Sequence, residues 1–141
     1  MRDEELSGPF RHPLRVRYNE CDPQGVVFNA NYLTYFDITI TELWRELGGY
    51  QAMVDAGADV VVAEARVRYL GPLRFDDEFE VVARVTRLGA TSVTTELVVE
   101  RGGEPAAEGE LRHVFITPGG EKSQIPEAIR AGLERHAVPA G

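Results

Sequence analysis

The chain changes from a strand-like to a helix-like pattern within the stretch Tyr18-Asn19-Glu20-Cys21-Asp22-Pro23-Gln24-Gly25-Val26-Val27-Phe28-Asn29-Ala30-Asn31-Tyr32. Pro23 has a fixed φ and Gly25 tolerates a positive φ, so these two residues predict a tight turn directly after Asp22. The stretch therefore predicts a carboxylate at the point where a strand gives way to a helix.

The segments on either side of this turn have different periodicities. We expect residues 1–10 to form a loose leader. From Leu14 to Tyr18 apolar and polar side chains alternate, which predicts a half-buried strand. Residues 30–47 have a wide apolar arc at helical spacing, which predicts a helix enclosed on most sides. A shorter helix is predicted over residues 50–56. The main apolar stripe of the long helix is Phe36, Ile40, Leu43 and Leu47.

Four alternating segments follow, and each predicts a strand with one apolar face. Gly89-Ala90 and Gly102-Gly103 fit tight turns between these strands. A closing amphipathic helix is predicted over residues 125–137, with Pro126 near its first turn. The predicted faces are Val61, Ala63, Ala65, Val67 and Tyr69; Phe79, Val81, Ala83 and Val85; Val93, Thr95, Leu97 and Val99; and Ala107, Gly109, Leu111, His113 and Phe115.

This order of elements predicts an α+β fold. One five-stranded, mostly antiparallel sheet wrapped around one central helix buries both the wide helical arc and the single apolar face of each strand. Because a small sheet has long edge strands that another subunit can cover, we expect a homodimer or homotetramer.

Length and composition indicate one globular domain over residues 1–141, with 43% hydrophobic and 27% charged residues. The formal net charge of −8 disfavours nucleic acid as a partner. A single cysteine excludes an intramolecular disulfide and a cysteine-based zinc cage. Without a long apolar run or a signal-peptide pattern, we expect a protein with no membrane span. A cytoplasmic, cofactor-free protein is the default expectation.

Asp22 has a catalytic and a structural interpretation. A carboxylate beside free helix N–H groups can attack a carbonyl carbon, or direct water onto it, while those groups polarise the carbonyl oxygen. Alternatively, Asp22 only caps the helix or fixes the turn, which is a common role of Asp at such positions.

Two motifs, in this order, resemble those of a known family. They are Arg17-Tyr18-x-Glu20-x-Asp22-x-x-Gly25-Val26-Val27-Phe28-x-Ala30-Asn31-Tyr32-Leu33 and Arg68-Tyr69-Leu70-Gly71-Pro72-Leu73-Arg74-Phe75-Asp76-Asp77. Over residues 12–118 the chain resembles the 4-hydroxybenzoyl-CoA thioesterase family, including the small bacterial enzymes associated with the Tol-Pal gene cluster. The resemblance implies a hotdog fold and a metal-free active site at a subunit interface. Coenzyme A is then part of the substrate.

By this resemblance Asp22 is the essential carboxylate, and the backbone N–H of Asn29 polarises the thioester carbonyl. The chain departs from the family where His is frequent, at Asn29, and where Arg is frequent, at Ile40. A backbone donor survives a change of side chain, so these departures concern the type of substrate more than the type of reaction.

Candidate substrate-binding residues close to Asp22 are Gly25, Phe28 and Tyr32. Gly25 lets the backbone approach a substrate closely. Aromatic side chains in this region can line an acyl pocket, although core packing explains most of them equally well.

Further candidates lie on the predicted strands. Glu64 can orient a water molecule, or is simply an exposed or interface charge. Arg66 and Arg68 project from the same side of one strand, and Arg84 and Arg87 lie on or near the next. These arginines can receive the phosphates of coenzyme A or of a phosphopantetheine arm, or they only face solvent.

Other polar residues near these motifs have structural explanations. Cys21 is expected to point away from Asp22 as a small buried filler, and Glu20 to form a surface or interface salt bridge. Thr91 and Ser92 can position water, although turn formation accounts for them. His113 is expected to be a core or interface histidine with satisfied hydrogen bonds.

The sequence thus favours a thioesterase that hydrolyses an acyl-CoA or an acyl-carrier-protein thioester. The alternative is a non-catalytic hotdog protein that binds such thioesters. A hydratase or dehydratase is disfavoured because the histidine context of hotdog dehydratases is not found.

Overall fold

The computed structural model describes residues 8–137. These residues form five strands, β1 (Phe10–Arg15), β2 (Asp59–Tyr69), β3 (Glu78–Leu88), β4 (Ser92–Arg101) and β5 (Glu104–Ile116), and three α-helices, α1 (Asn31–Glu46), α2 (Gly49–Asp55) and α3 (Glu127–Glu134). None of the described helices has the length and apolarity that a bilayer crossing demands.

The strands form one antiparallel sheet in the order β1-β3-β4-β5-β2, and α1 packs against its inner face. The predicted hotdog fold is therefore confirmed. Its core joins the buried face of α1 to alternate residues of β3, β4 and β5, as their periodicity predicts. The largest fully buried side chains include Tyr35, Phe36, Leu43, Val81, Val85, Leu97 and Phe115.

A glycine allows the helix to approach the sheet closely. A Cβ at Gly109 of β5 would lie 2.2 Å from the backbone oxygen of Arg66 and 2.6 Å from Cε2 of Phe36. Phe36 is completely buried, so its ring occupies the space that a side chain at position 109 would need.

The first strand lies earlier in the chain than predicted. It already includes Phe10, which was expected to belong to the leader, and it ends at Arg15. Tyr18 is not in a strand, because residues Tyr18–Glu20 form a 3₁₀ turn in which the Glu20 side chain accepts the backbone N–H of Arg17 at 2.8 Å. The rest of the predicted leader, residues 1–7, lies outside the described residues.

The prediction of which β2 residues face the core is wrong for the first half of the strand. A β-bulge lies between Val62 and Glu64, so the residues before and after it follow opposite alternations. The pairing places Val61 opposite Val114, on the outer face of the sheet, whereas Val67 lies opposite Gly109 on the inner face.

The closing helix is shorter than predicted. It runs from Glu127 to Glu134, with Pro126 in extended conformation as its N-cap. Proline disfavours helical geometry in the residue before it, which opposes a helix start at residue 125. Ala137 instead forms a bridge with Val85 of β3. Residues 138–141 lie outside the described part of the chain.

Candidate active site

The turn predicted after Asp22 is present, and it joins two short extended arms. Cys21 pairs with Val27, and the backbone N–H of Asp22 donates to the carbonyl of Val26 at 2.8 Å. Gly25 closes the turn with a φ of +80°, a conformation that favours glycine. The chain therefore reverses between Asp22 and the segment that leads into α1.

Only one oxygen of the Asp22 carboxylate is used by the turn. Its Oδ1 accepts the backbone N–H of Gln24 at 2.8 Å, which is an Asx turn. No donor among residues 8–137 bonds to Oδ2, and the side chain is half-buried. The structural role considered for Asp22 is thus real, and it leaves the second oxygen available for chemistry.

A cavity of about 460 Å³ adjoins this carboxylate. Tyr18 and Phe75 form its aromatic wall, with ring centroids 5.8 Å apart in an edge-to-face arrangement. Sequence reasoning did not select either residue as a site residue, although both lie within the two quoted motifs. The cavity is lined by Tyr18, Cys21, Asp22, Pro23, Gly25 and Phe75.

The loop that carries Phe75 is fixed by polar contacts. The Asp77 carboxylate accepts the backbone N–H of Arg74 at 2.8 Å and the Arg101 guanidinium at 2.9 Å. The Arg74 N–H and the Arg101 guanidinium lower the pKa of Asp77, so this carboxylate remains ionised at neutral pH. The aromatic wall therefore stands on a turn with defined geometry.

The N–H of Asn29 points away from the start of α1. The carbonyl of Phe28 accepts the N–H of Asn31 at 2.9 Å and so points toward the helix. The N–H of Asn29 belongs to the same trans peptide unit and must point in the opposite direction. Among the described residues no acceptor takes this N–H, so it can donate to a substrate oxygen.

Tyr69 supports Asn29 from the end of β2, a contact that sequence reasoning missed. Its hydroxyl donates to the Asn29 carbonyl at 3.0 Å. Tyr69 belongs to the second motif, but sequence spacing gives no sign that β2 ends beside the start of α1.

Of the two aromatic candidates near Asp22, one is part of the core. Tyr32 is only 3% exposed, and its ring packs against Tyr35 and Tyr69 at 5.9 and 5.3 Å. Burial raises the pKa of its hydroxyl. Phe28 is 48% exposed beside Asn29. The alternative interpretation of Tyr32, core packing, describes its position better than an acyl-pocket wall does.

The structure does not bring Glu64, Arg66 or Arg68 to the Asp22 cavity. All three lie on the outer face of β2, where Arg66 pairs with Glu110 at 2.9 Å and Arg68 with Glu108 at 3.3 Å. Their carboxylate partners offset the positive charge that a phosphate group would need. A role in substrate binding stays a prediction for these residues.

The arginines of β2 and β3 do not form one patch. Two strands, β4 and β5, lie between β2 and β3, so Arg84 and Arg87 are remote from the β2 arginines. Arg84 has its own partner, Glu96, at 3.9 Å. β2 and β3 follow each other in the chain but are not adjacent in the sheet, so their arginines cannot act together on one phosphate-bearing ligand.

The structure also places the remaining polar candidates, and only the prediction for Cys21 is wrong. Thr91 and Ser92 serve the turn between β3 and β4, as their alternative explanation held, since the Ser92 carbonyl accepts the N–H of Gly89 at 2.8 Å and β4 begins at Ser92. They lie beyond the far end of β3, an eleven-residue strand that spans roughly 30 Å, whereas Phe75 precedes its start. Cys21 shares the cavity with Asp22 instead of pointing away from it, since the 3₁₀ turn removes the strand alternation on which that prediction rested.

Comparison with known proteins identifies the family of this chain. The sequence profile of the thioesterase superfamily matches residues 24–107. The chain belongs to the thioesterase superfamily. Among its relatives, the acyl-CoA thioester hydrolase YbgC of Escherichia coli is 32% identical over 129 residues, which cover 89% of this chain and 96% of that protein.

Two other known proteins also match along nearly their whole length. The 1,4-dihydroxy-2-naphthoyl-CoA hydrolase of Thermosynechococcus vestitus is 28% identical, with 89% of this chain and 90% of that protein covered. The crystal structure of a hypothetical protein from Aquifex aeolicus has a TM-score of 0.84 at 32% identity and covers 89% of this chain and 99% of its own. Each of these matches therefore extends over most of both chains.

Proposed function

We propose that this chain hydrolyses acyl-CoA thioesters to a free carboxylic acid and coenzyme A. The Asp22 carboxylate serves as nucleophile or general base, and the backbone N–H of Asn29 polarises the thioester carbonyl. Apart from the coenzyme A of the substrate, the reaction uses no cofactor and no metal.

The observation that carries this proposal is the carboxylate of Asp22. One of its oxygens is bound in the turn, and the other has no donor among the described residues. The carboxylate lines a cavity, and it lies seven residues before Asn29, whose N–H points away from α1. Membership of the thioesterase superfamily supports thioester chemistry at such a site. The E. coli relative named acyl-CoA thioester hydrolase supports coenzyme A as the leaving group.

Two routes use the same carboxylate. In the first, Oδ2 bonds to the carbonyl carbon, the C–S bond breaks, and water then hydrolyses the mixed anhydride. In the second, Asp22 removes a proton from water as the water oxygen attacks, and the thiolate leaves with the C–S electron pair. Negative charge develops on the carbonyl oxygen in both routes, where a backbone N–H stabilises it.

The proposal also includes a homo-oligomer in which β2 pairs with β2 of a second copy of the chain. The β1 edge is short and carries Pro13, features that discourage strand pairing. The β2 edge has eleven residues and no proline, and its Val61 and Val62 are 44% and 50% exposed. Two such edges can pair antiparallel about a twofold axis and form a homodimer, from which a homotetramer can be built.

The substitution Asp22→Asn tests the chemistry while keeping the turn. The asparagine carbonyl oxygen still accepts the Gln24 N–H, but the amide is neither a nucleophile nor a base. In an assay that detects free thiol from a panel of acyl-CoA and aryl-CoA substrates, we expect kcat to fall by on the order of 100-fold to 10,000-fold. The melting temperature should remain close to that of the wild type.

The matched control is Asp55→Asn, which makes the same chemical change at an exposed position at the end of α2. It should keep wild-type turnover. A wild-type protein that binds coenzyme A esters without releasing thiol would favour the non-catalytic alternative, and equal turnover in Asp22→Asn and wild type would exclude Asp22 from the chemistry.

A further inference from the structure

Glu20 is the most connected residue of the loop that carries Asp22. Within the described chain its carboxylate does not form the salt bridge expected from the sequence. Instead, Oε1 accepts the backbone N–H of Arg17 and the hydroxyl of Tyr35, both at 2.8 Å. Its backbone carbonyl accepts the N–H of Phe28 at 2.9 Å and the side-chain amide of Asn31 at 2.8 Å.

These contacts connect the two halves of the candidate active site. Asp22 follows Glu20 by two residues, on the first arm of the turn. Asn29 lies on the second arm, between Phe28 and Asn31, both of which bind the Glu20 carbonyl. The separation of the Asp22 carboxylate from the Asn29 N–H therefore depends on where Glu20 is held.

We propose that the hydrogen bond from Tyr35 to Glu20 positions Asp22 against the Asn29 amide. Tyr35 and Glu20 are then positioning residues for thioester hydrolysis. This inference rests on the function proposed above. Neither side chain lines the Asp22 cavity, so they act through Asp22 and Asn29 and not on the substrate.

Tyr35 is well suited to hold Glu20 in place. Its side chain is 1% exposed, and its ring packs against Tyr32 and Phe79 with centroids 5.9 and 4.8 Å apart. The ring is thus fixed within the core, between α1 and β3, and only its hydroxyl reaches the loop. Burial, followed by the hydrogen bond to Glu20, raises the pKa of Tyr35, so the hydroxyl remains a donor at any working pH.

The cost of losing this bond should appear in turnover. A carboxylate that moves by about 1 Å from its productive position can lose on the order of 100-fold in rate. Asp22 would still lie in the cavity, so substrate affinity should change little. The expected signature is a lower kcat at nearly constant KM.

The experiment compares four single variants with the wild type. Tyr35→Phe removes only the donor, and Glu20→Ala removes only the side-chain acceptor. Glu20→Gln keeps an acceptor oxygen and should retain most of the activity. Tyr35→Phe and Glu20→Ala should each lower kcat by about tenfold to 100-fold. The matched control is Tyr50→Phe, which removes a tyrosine–carboxylate hydrogen bond of 2.9 Å to Asp59 at the start of β2 and should keep wild-type kcat.

A double variant separates positioning from general loss of stability. If one shared hydrogen bond is responsible, Tyr35→Phe with Glu20→Ala should lower kcat no further than the more damaging single change. Multiplicative losses would overturn the inference. It would also be overturned by wild-type kcat in Tyr35→Phe, or by a Glu20→Gln variant as impaired as Glu20→Ala.

The two proposals fail in different ways. If Asp22→Asn abolishes turnover while Tyr35→Phe keeps it, only the positioning inference is wrong. If Asp22→Asn is as active as the wild type, the proposed function itself is wrong, whatever the Tyr35 variant does.

Discussion

His113 shows that a single polar residue can occupy an apolar face without a full set of hydrogen bonds. Its side chain is 3% exposed, and its ring meets Trp44 edge to face at 5.9 Å. Among the described residues no group bonds to its Nδ1. The predicted core position of His113 is therefore correct, but the prediction that its hydrogen bonds are satisfied is wrong. The strand period correctly placed His113 on the buried face, but it cannot indicate hydrogen-bond partners.

Burial should make His113 a source of acid sensitivity. It lowers the pKa of His113 below the ordinary value of 6.5, and the nearby charge of Asp37 offsets only part of this effect. The unfolded chain therefore binds the proton more readily than the folded chain, and stability should fall as the pH drops below 6.5. In His113→Leu this part of the pH dependence should be absent.

Urea denaturation of both proteins at about pH 7.5 and about pH 5 measures the effect. The leucine variant should lose less free energy of unfolding on acidification. Near neutral pH it should be as stable as the wild type, or more stable by about 1 kcal/mol, because an unpaired buried nitrogen is removed. An identical loss in both proteins would contradict the assignment.

At the scale of elements, the contact between α1 and β5 depends on the absence of a side chain at Gly109. The sequence placed this residue correctly on the inner face of its strand, between Ala107 and Leu111. It did not reveal that Phe36 and the backbone of β2 leave no room there, because that requires three elements to be placed together.

Gly109→Ala should therefore destabilise the fold. The new methyl group would meet a backbone oxygen at 2.2 Å as well as the Phe36 ring, and a backbone atom cannot move aside as a flexible side chain can. We expect a loss of about 1–3 kcal/mol in unfolding free energy, measured by thermal or urea unfolding. Gly119→Ala, whose nearest neighbour is 3.7 Å away, is the control and should be nearly neutral. Equal stability of the two variants would show that the sheet can relax around the added carbon.

Element boundaries were predictable where local chemistry sets them. The long helix was expected over residues 30–47 and spans Asn31–Glu46, because its apolar stripe and the glycines after it act locally. The β2 bulge and the early end of β1 were missed. Both arise from pairing or hydrogen bonding with residues that spacing along one strand does not reveal.

At the scale of the whole molecule, the two edge strands of the sheet differ in how strongly they discourage pairing with another chain. On the proposal that β2 pairs with a second copy, a charged residue in this strand should oppose assembly. Light scattering of the wild type should give a dimer or tetramer of 15.6 kDa chains, and Val62→Lys should shift it toward the monomer.

The matched control is Val54→Lys. Val54 is 41% exposed, close to the 50% of Val62, but it lies on α2 and not on β2. It should leave the assembly unchanged. A monomeric wild type, or equal dissociation by both variants, would remove β2 as the subunit contact.

The sequence by itself determined which elements form, the turn after Asp22 and the carboxylate that the turn displays. These follow from side-chain period, from proline and glycine geometry and from motifs within a few residues, all of which are local properties. Only the tertiary structure decided the strand order, which separates the arginines of β2 from those of β3. Only the tertiary structure, likewise, decided that Tyr18 and Phe75 enclose the Asp22 cavity and that Tyr35 holds Glu20. Such contacts join residues distant in the chain, and they exist only once burial of the common core has fixed how helix and sheet pack.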